Sequence, residues 1–402
     1  MSRPDVALVA PYPPRGAKHA GSSGVASYAA NLATSLVDAG ATVAVVAPKI
    51  KMVESDAAVS GDGPVLTIHR SFGDRPWSLL AAWRAARETG APIIHLQHEL
   101  FLYGGAAALP SLVTALSARR RGRPAVVVTM HQVVSPQDVT PEYTRMHRVT
   151  VPAPVARGGL AGLQHAVSRL ADAVVVHERA FTDVVPSAVL IPHGIEELLT
   201  PDRRDSRLAL GLDGRLTVLC FGFVAPYKGL ELACEAAALA GDTVQLVVAG
   251  GDHPRMTGTG NYADGLRERF AGTVRFVGYV PEEQVGKWFA AADLALLPYP
   301  KPHASSGVLA LAFGYRTPVL LSHALADCVG APPLMTIPGT PAALADRLRE
   351  LARDQAQLDR IRTANAFLAD GRSWPTVASR HLDLYEEVTG GKGAVGRRVR
   401  TA

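Results

Sequence analysis

The stretch LTVLCFGFVAPYKGLELACEAAALAGDTVQLVV (Leu216–Val248) reads as strand, loop, helix, strand. Leu216–Phe221 is a short apolar run that stops at Gly222, and a six-residue turn then reaches Lys228. Gly229 opens an Ala/Leu/Glu-rich helical segment, and Val244–Val248 is the next apolar run. Continuous Val/Leu/Ala runs are what a parallel sheet needs when helices cover both of its faces.

Outward from this unit the same rhythm recurs in both directions. In the first half the expected strands are Val6–Val9, Val43–Val46, Ile93–Leu96, Ala125–Thr129, Ala173–Val176 and Val189–Ile191. A polar stretch, LTPDRRDSRLALGLDGR (Leu199–Arg215), interrupts the pattern before it restarts. The second series is Leu216–Phe221, Val244–Val248, Val274–Val277, Leu294–Leu297, Val319–Leu321 and Leu334–Ile337. Two such series predict an α/β protein of two doubly wound domains. We assign 1–195 to the first and 196–373 to the second, with an amphipathic helix at 374–388 completing the first and a Gly/Arg-rich tail at 389–402. Ligands of such sheets bind beyond the carboxyl ends of the strands, which are expected to face one another across a cleft. The proline-broken segment from about Ser135 to Gly162 is expected to be a long loop or an irregular helical insertion.

The 402 residues carry 41 Lys and Arg against 36 Asp and Glu, a net charge of +5. That balance suits anionic small molecules or a membrane surface and is too weak to argue for nucleic acid. Three widely spaced cysteines, Cys220, Cys234 and Cys328, form neither a disulfide framework nor a zinc site, which fits a cytoplasmic protein. No run of 18 apolar residues exists to span a membrane.

Five stretches carry candidate chemistry. After the first strand, PYPPRGAKHAGSSGVASY leads into a helix near Gly24, where Ser23, Gly24 and free amides favour a negative charge. In VVVTMHQV, His131 stands just past a buried strand and is expected at the cleft mouth; a hydrogen-bonded structural histidine is the alternative. IIHLQHELFLYGG brings His95, His98 and Glu99 to another strand end, where loop packing outweighs a metal site because the spacing is not HExxH. Lys228, at a helix start, is placed to clamp a diphosphate. In LLPYPKPHASSGVLALAFGYRTPVL, the amides of Ser306, Gly307 and Val308 begin a helix that follows a Pro/Ser loop, a second anion cradle. A nicotinamide enzyme would need GxGxxG with an acidic residue about 20 positions later, and neither half has it.

TMH, IPHGIE, FGFVAPYKGLE, VVAGG, VRFVGYVPEEQV, AADLALLPY and SGVLALAFGYRTPV occur in the order found in family 4 glycosyltransferases, which the chain resembles over nearly its whole length. The resemblance implies a GT-B fold with the acceptor mostly on the first domain and a nucleoside diphosphate sugar on the second. It also implies transfer with retention of configuration and neither metal nor other cofactor. By position, His131 is implied beside the reacting sugar and Lys228 at the diphosphate. Ser23 and Gly24 are implied near phosphate and acceptor, and His303, Ser305, Ser306, Gly307 and Val308 around sugar and phosphate. Tyr279, Val280 and Glu283 are implied near the base, and Tyr12, His98 and Glu99 on the side of the hydroxyl acceptor. Two features depart from the family pattern: Phe223 stands where an arginine is usual, and His303 and Leu311 stand where two glutamates are usual. The pattern resembles a subset lacking those glutamates. A nucleotide-sugar epimerase or hydrolase, or a non-catalytic nucleotide-sugar binder, is the alternative reading. Arg119, Arg120, Arg121 and Arg123 suit a helix C-terminus; the sharper expectation for them is peripheral contact with an anionic membrane or a phosphorylated acceptor.

Overall fold

The computed structural model of the protein describes residues 3–14, 24–50, 65–73, 75, 77–99, 102–103, 109–117, 123–146, 149–252, 262–300 and 306–390. The chain divides into two compact units: unit 1 holds Met1–Gly194 and Trp374–Ala402, and unit 2 holds Ile195–Pro302 and Ser306–Ser373.

Unit 1 is built on seven strands: β1 (Val6–Val9), β2 (Val43–Pro48), β3 (Leu66–Phe72), β4 (Ile93–His98), β5 (Ala125–Met130), β6 (Ala173–Val176) and β7 (Val189–Leu190). Every pairing is parallel, in the order β3-β2-β1-β4-β5-β6-β7. Its helices are α1 (Gly24–Asp38), α2 (Ser78–Glu88), α3 (Leu109–Ser117), α4 (Pro141–Met146), α5 (Ala153–Leu170) and α6 (Arg179–Val184). The unit also takes α15 (Trp374–Thr389), which packs on α1 and supplies Trp374, Val377, Ala378, Leu384 and Tyr385 to one core with Tyr28, Leu32 and Leu36.

Unit 2 has β8 (Leu216–Phe221), β9 (Val244–Ala249), β10 (Val274–Gly278), β11 (Leu294–Leu297) and β12 (Val319–Leu321), parallel in the order β10-β9-β8-β11-β12. Around this sheet lie α7 (Arg203–Ala209), α8 (Leu230–Ala240), α9 (Tyr262–Arg269), α10 (Glu282–Ala291), α11 (Gly307–Gly314), α12 (His323–Val329), α13 (Pro341–Arg353) and α14 (Gln355–Asp370). Both units therefore repeat the Rossmann order 3-2-1-4-5, with the direction of winding reversing between β1 and β4 and between β8 and β11.

Two local expectations are corrected, and a third is met by its helical alternative. Leu66–Phe72 is a strand that the apolar pattern did not predict: it lies at the sheet edge, and its sequence LTIHRSF mixes polar residues into the run. Leu334–Ile337 is not a strand. Pro332 and Pro333 bring no backbone donors, and the chain makes a 3-10 turn at Pro333–Met335 with a single bridge between Thr336 and Leu321. The segment after Ser135 contains regular helices, including the 18-residue α5, which starts after Pro152 at a position where a missing N–H costs nothing.

Candidate active site

In unit 2 the winding reversal places two loops side by side at the carboxyl ends of β8 and β11. The first runs from Gly222 through a 3-10 turn (Pro226–Lys228) to Gly229, and the second leaves β11 at Pro298 and ends in the cap of α11. Gly229 has φ +63°, and a Cβ there would lie 2.2 Å from the Pro298 carbonyl oxygen. Glycine is thus required both by the left-handed backbone and by the contact between the two loops. Gly250 is similarly pressed on Gly222, whose carbonyl oxygen would be 2.1 Å from an added Cβ.

The loops are joined by side chains as well. Lys228 donates from Nζ to the Tyr299 hydroxyl at 2.6 Å, and its ammonium lies 4.2 Å from the Tyr299 ring centroid. The Ser306 side chain also acts on the Tyr299 hydroxyl, lowering its pKa against the larger upward push of burial. Ser306 caps α11 by accepting from the Leu309 amide at 3.2 Å, which leaves the first helical amides, Gly307 and Val308, outside the intrahelical ladder. The Val308 side chain closes over Gly222, where an added Cβ would meet it at 3.2 Å and Lys228 Nζ at 3.7 Å. One ammonium and one helix N-terminus therefore converge on one tyrosine. Burial pushes the Lys228 pKa down to about 8, opposed by its interaction with Cys220. Among the described residues Tyr299 is the hydrogen-bond partner of Lys228 Nζ, and a buried ammonium with donors to spare is a binding group for an anion.

Tyr299 is the residue that sequence reasoning passed over, although it stands one position beyond Pro298 in the quoted loop. At the arginine position, Phe223 is 43% exposed; Leu311, at a glutamate position, is half-buried against the unit 2 core. Tyr279 follows β10 and is 76% exposed beside Gly251, and Glu283 is exposed in the first turn of α10. Val280, between them in sequence, belongs to the core. Ser23, His303 and Ser305 lie outside the described residues. Gly24 is the exposed first residue of α1, and a Cβ there would meet nothing within 4 Å.

In unit 1, His131 follows β5 and is not at an open mouth. It is 8% exposed and packs edge-on against Tyr28 at 4.7 Å between ring centroids, with His177 at 4.9 Å. Its Nε2 pairs with Gln97 Oε1 at 2.8 Å, and its backbone amide donates to the His98 carbonyl. Burial, then the imidazoles of His177, His193, His95 and His98, hold its pKa well below the usual range, so the ring is neutral. His98 ends β4 as a buried side chain, its pKa pushed down by burial to about 4, and Glu99 follows it. Tyr12 lies in the loop after β1, where buried Arg70 of β3 donates to the carbonyls of Tyr12 at 3.2 Å and Pro13 at 2.9 Å. The unpredicted edge strand thus braces one of the loops at the reversal point of the sheet. Tyr103, with φ 59°, donates its hydroxyl to the Val9 and Gln97 carbonyls and ties β1 to β4 at the same point.

Among the described residues, no group of three or more His, Cys, Asp or Glu side chains could hold a metal ion. Arg123 pairs with Asp172 at 2.8 Å, while Arg119, Arg120 and Arg121 lie outside the described residues. No helix among the described residues is long and apolar enough to cross a membrane.

Two family models match the chain, one described as Glycosyltransferase Family 4 over residues 22–195 and one as Glycosyl transferases group 1 over residues 215–354. Together they take in well over half of its length. A D-inositol 3-phosphate glycosyltransferase of Streptomyces avermitilis is 27% identical over 344 residues, 79% of this chain and 64% of that protein. A GDP-mannose:glycolipid 4-beta-D-mannosyltransferase of Xanthomonas campestris is 29% identical over 191 residues, 45% of this chain and 51% of the relative. The chain thus spans about two-thirds or less of the length of these relatives. Among solved structures, sucrose-phosphate synthase from Thermosynechococcus elongatus superposes with a TM-score of 0.68 at 18% identity, covering 96% of this chain and 99% of the other. HepE from Anabaena in complex with UDP-glucose gives 0.62 at 17% identity, covering 96% and 99%. With its two Rossmann-like units in the GT-B class, the chain belongs to the family 4 glycosyltransferases.

Proposed function

We propose that the protein is a glycosyltransferase that moves a hexose-type sugar from a nucleoside diphosphate to an acceptor hydroxyl, with retention of configuration and without a metal ion. The observation that carries this reading is the convergence of Lys228 Nζ and the α11 N-terminus on Tyr299 within unit 2. Breaking the sugar–phosphate bond puts negative charge on the departing diphosphate. Fixed donors stabilise that charge where it develops, each worth about 2.7–4 kcal/mol of barrier by analogy with oxyanion-hole deletions. Lys228 supplies the positive charge that a divalent cation would otherwise bring. The departing diphosphate, held on the acceptor's side of the anomeric carbon, takes the acceptor proton, which gives retention. His131, neutral and buried, orients a hydroxyl of the transferred sugar. The UDP-glucose bound by HepE and the GDP-mannose named for the Xanthomonas relative support a nucleoside diphosphate sugar as donor.

The test is incubation with UDP-, GDP-, ADP- and dTDP-sugars, with EDTA present, with and without polyol and lipid-linked acceptors. Nucleoside diphosphate released with an acceptor, an α-linked product from an α-linked donor, and loss of release in Lys228→Ala are the expected results. Free sugar without acceptor points to a hydrolase or epimerase. No release from any donor together with no diphosphate binding overturns the reading.

A further inference from the structure

The strand β4 is wholly buried, yet it carries His95 and Gln97, each with no exposed surface. The Gln97 amide nitrogen is 3.1 Å from His95 Nε2, and its oxygen is 2.8 Å from His131 Nε2. His95 is held on both sides: Nδ1 is 2.6 Å from the Tyr385 hydroxyl of α15, and Nε2 is 2.7 Å from Thr129 Oγ1. All these groups belong to unit 1.

A primary amide is directional, since its nitrogen only donates and its oxygen only accepts. With the amide in this orientation His95 Nε2 accepts, its lone pair shared between the Gln97 N–H and the Thr129 hydroxyl, and the single proton of this neutral imidazole sits on Nδ1, directed at the Tyr385 oxygen. His131 Nε2 must carry a proton to donate to the amide oxygen, which leaves Nδ1 as the acceptor of that ring. Turning the amide over would move both protons at once, so the tautomers of two imidazoles are coupled through one side chain. The titratable groups facing His131 are Tyr28 on α1, His177 beyond β6, His193 beyond β7, and His95 and His98 on β4; none is anionic. No neighbour among them favours a second proton on the ring.

We propose that Gln97 is a positioning residue that fixes His131 as its Nε2–H tautomer and couples it to the tautomer of His95, which Tyr385 and Thr129 hold on its two ring nitrogens. For its effect on turnover this rests on His131 standing beside the transferred sugar. The consequence is a selection rule: His131 offers that sugar an acceptor nitrogen, so it takes a hydrogen bond from a sugar hydroxyl and gives no proton to the departing phosphate.

The test has a readout independent of activity. In ligand-free protein labelled with ¹⁵N-histidine, long-range ¹H–¹⁵N spectra distinguish a protonated Nε2 from a protonated Nδ1. The expected result is an Nε2–H tautomer for His131, unchanged from pH 8 to pH 5. In Gln97→Met the His131 signals become a mixture of tautomers. In Tyr385→Phe, three hydrogen bonds from His131, the His95 and His131 signals change together. With UDP-glucose or GDP-mannose, whichever is turned over, Gln97→Met is expected to lower kcat about fivefold, as loss of a hydrogen bond worth about 1 kcal/mol implies, with KM nearly unchanged. A wild-type His131 protonated on Nδ1, or one that stays purely Nε2–H in both variants, overturns the proposal. A fixed Nε2–H tautomer in a protein that releases no nucleoside diphosphate from any sugar upholds the tautomer assignment while overturning the transfer reading.

Discussion

Replacing Lys228 by Met separates what the lysine does for binding from what it does to the fold. Burial lowers its pKa from 10.5 to about 8 in the ligand-free protein. At 1.36 kcal/mol per pH unit, that displacement corresponds to about 3 kcal/mol of unfavourable burial of the charged form. The sign follows from proton counts. Between pH 8 and 10.5 the unfolded chain holds the proton and the folded chain does not, so wild-type stability rises with pH across that window. Below pH 8 both states are protonated and the full cost is present. Methionine carries no charge, so the wild-type protein should gain up to about 3 kcal/mol relative to Lys228→Met between pH 8 and 10.5, roughly 6–12 °C in the melting of unit 2. At pH 7 the variant should be the more stable, by about 1–2 kcal/mol, because losing the bond to Tyr299 offsets part of the gain by about 1 kcal/mol.

Binding should move the other way. Loss of a charge-assisted contact worth about 1.5–3 kcal/mol weakens a nucleoside diphosphate roughly 10- to 150-fold. Wild-type affinity should also decline as pH rises through about 8, where the ligand-free lysine loses its proton. Paired thermal melts of wild type and variant at pH 7 to 10.5, with calorimetric titration of UDP and GDP, measure both arms. A variant less stable than wild type at pH 7, with a difference that stays flat up to pH 10.5, would refute the burial argument. Unchanged nucleotide affinity would refute the anion-binding role.

Ser306→Ala and Thr340→Ala each remove an N-cap and should each cost about 1 kcal/mol in thermal or chemical denaturation; only Ser306→Ala should also weaken UDP or GDP in a titration. Gly229→Ala combines a positive φ with a 2.2 Å approach to the Pro298 oxygen and should destabilise unit 2 by about 1–3 kcal/mol, whereas Gly265→Ala, in open space within α9, should stabilise it by about 0.5–1 kcal/mol. Urea melts of the two variants beside wild type measure both changes. His98 and His381 have pKa values lowered to about 4 by burial, so below pH 6.5 the unfolded chain takes up protons that the folded chain refuses. Unit 1 should therefore lose up to about 3 kcal/mol per histidine between pH 6.5 and 4, and His381→Gln should flatten that acid limb in urea melts.

The parallel strands were legible because burial on both faces leaves uninterrupted apolar runs, and the turn glycines and helix starts framed them. The edge strand β3 was not, since only part of it is covered and LTIHRSF carries the polar residues that a half-open strand tolerates. Lys228 and Ser306 were legible from their places after strands, but Tyr299, which joins them, stands in an otherwise proline-rich loop that gives no periodic signal. The His95–Gln97–His131 connection had a signal that was read too locally. In HLQH the polar residues alternate within a strand that both faces of the sheet bury, and an unpaired polar group there would cost several kcal/mol in an apolar setting. Such residues must find one another across neighbouring strands, and pairing β4 with β5 is what brings Gln97 and His131 together. His131 itself was placed after the correct strand but assigned to an open edge; the depth of its pocket comes from Tyr28 and His177, which lie far away in sequence.

Helix α15 gives unit 1 a split origin in the chain. A ribosome finishes all of unit 2 before it makes Trp374, Val377, Ala378, Leu384 and Tyr385, which belong to the same core as Tyr28 and Leu32. During synthesis the amino-terminal half therefore waits, partly uncovered, for a segment some 180 residues downstream of Gly194, counted from the unit boundaries. A stop or proteolytic cut at the junction of Ser373 and Trp374 would leave unit 2 whole and unit 1 without α15, so that the apolar side chains of Tyr28, Leu32 and Leu36 lose their cover and meet chaperones and other nascent copies.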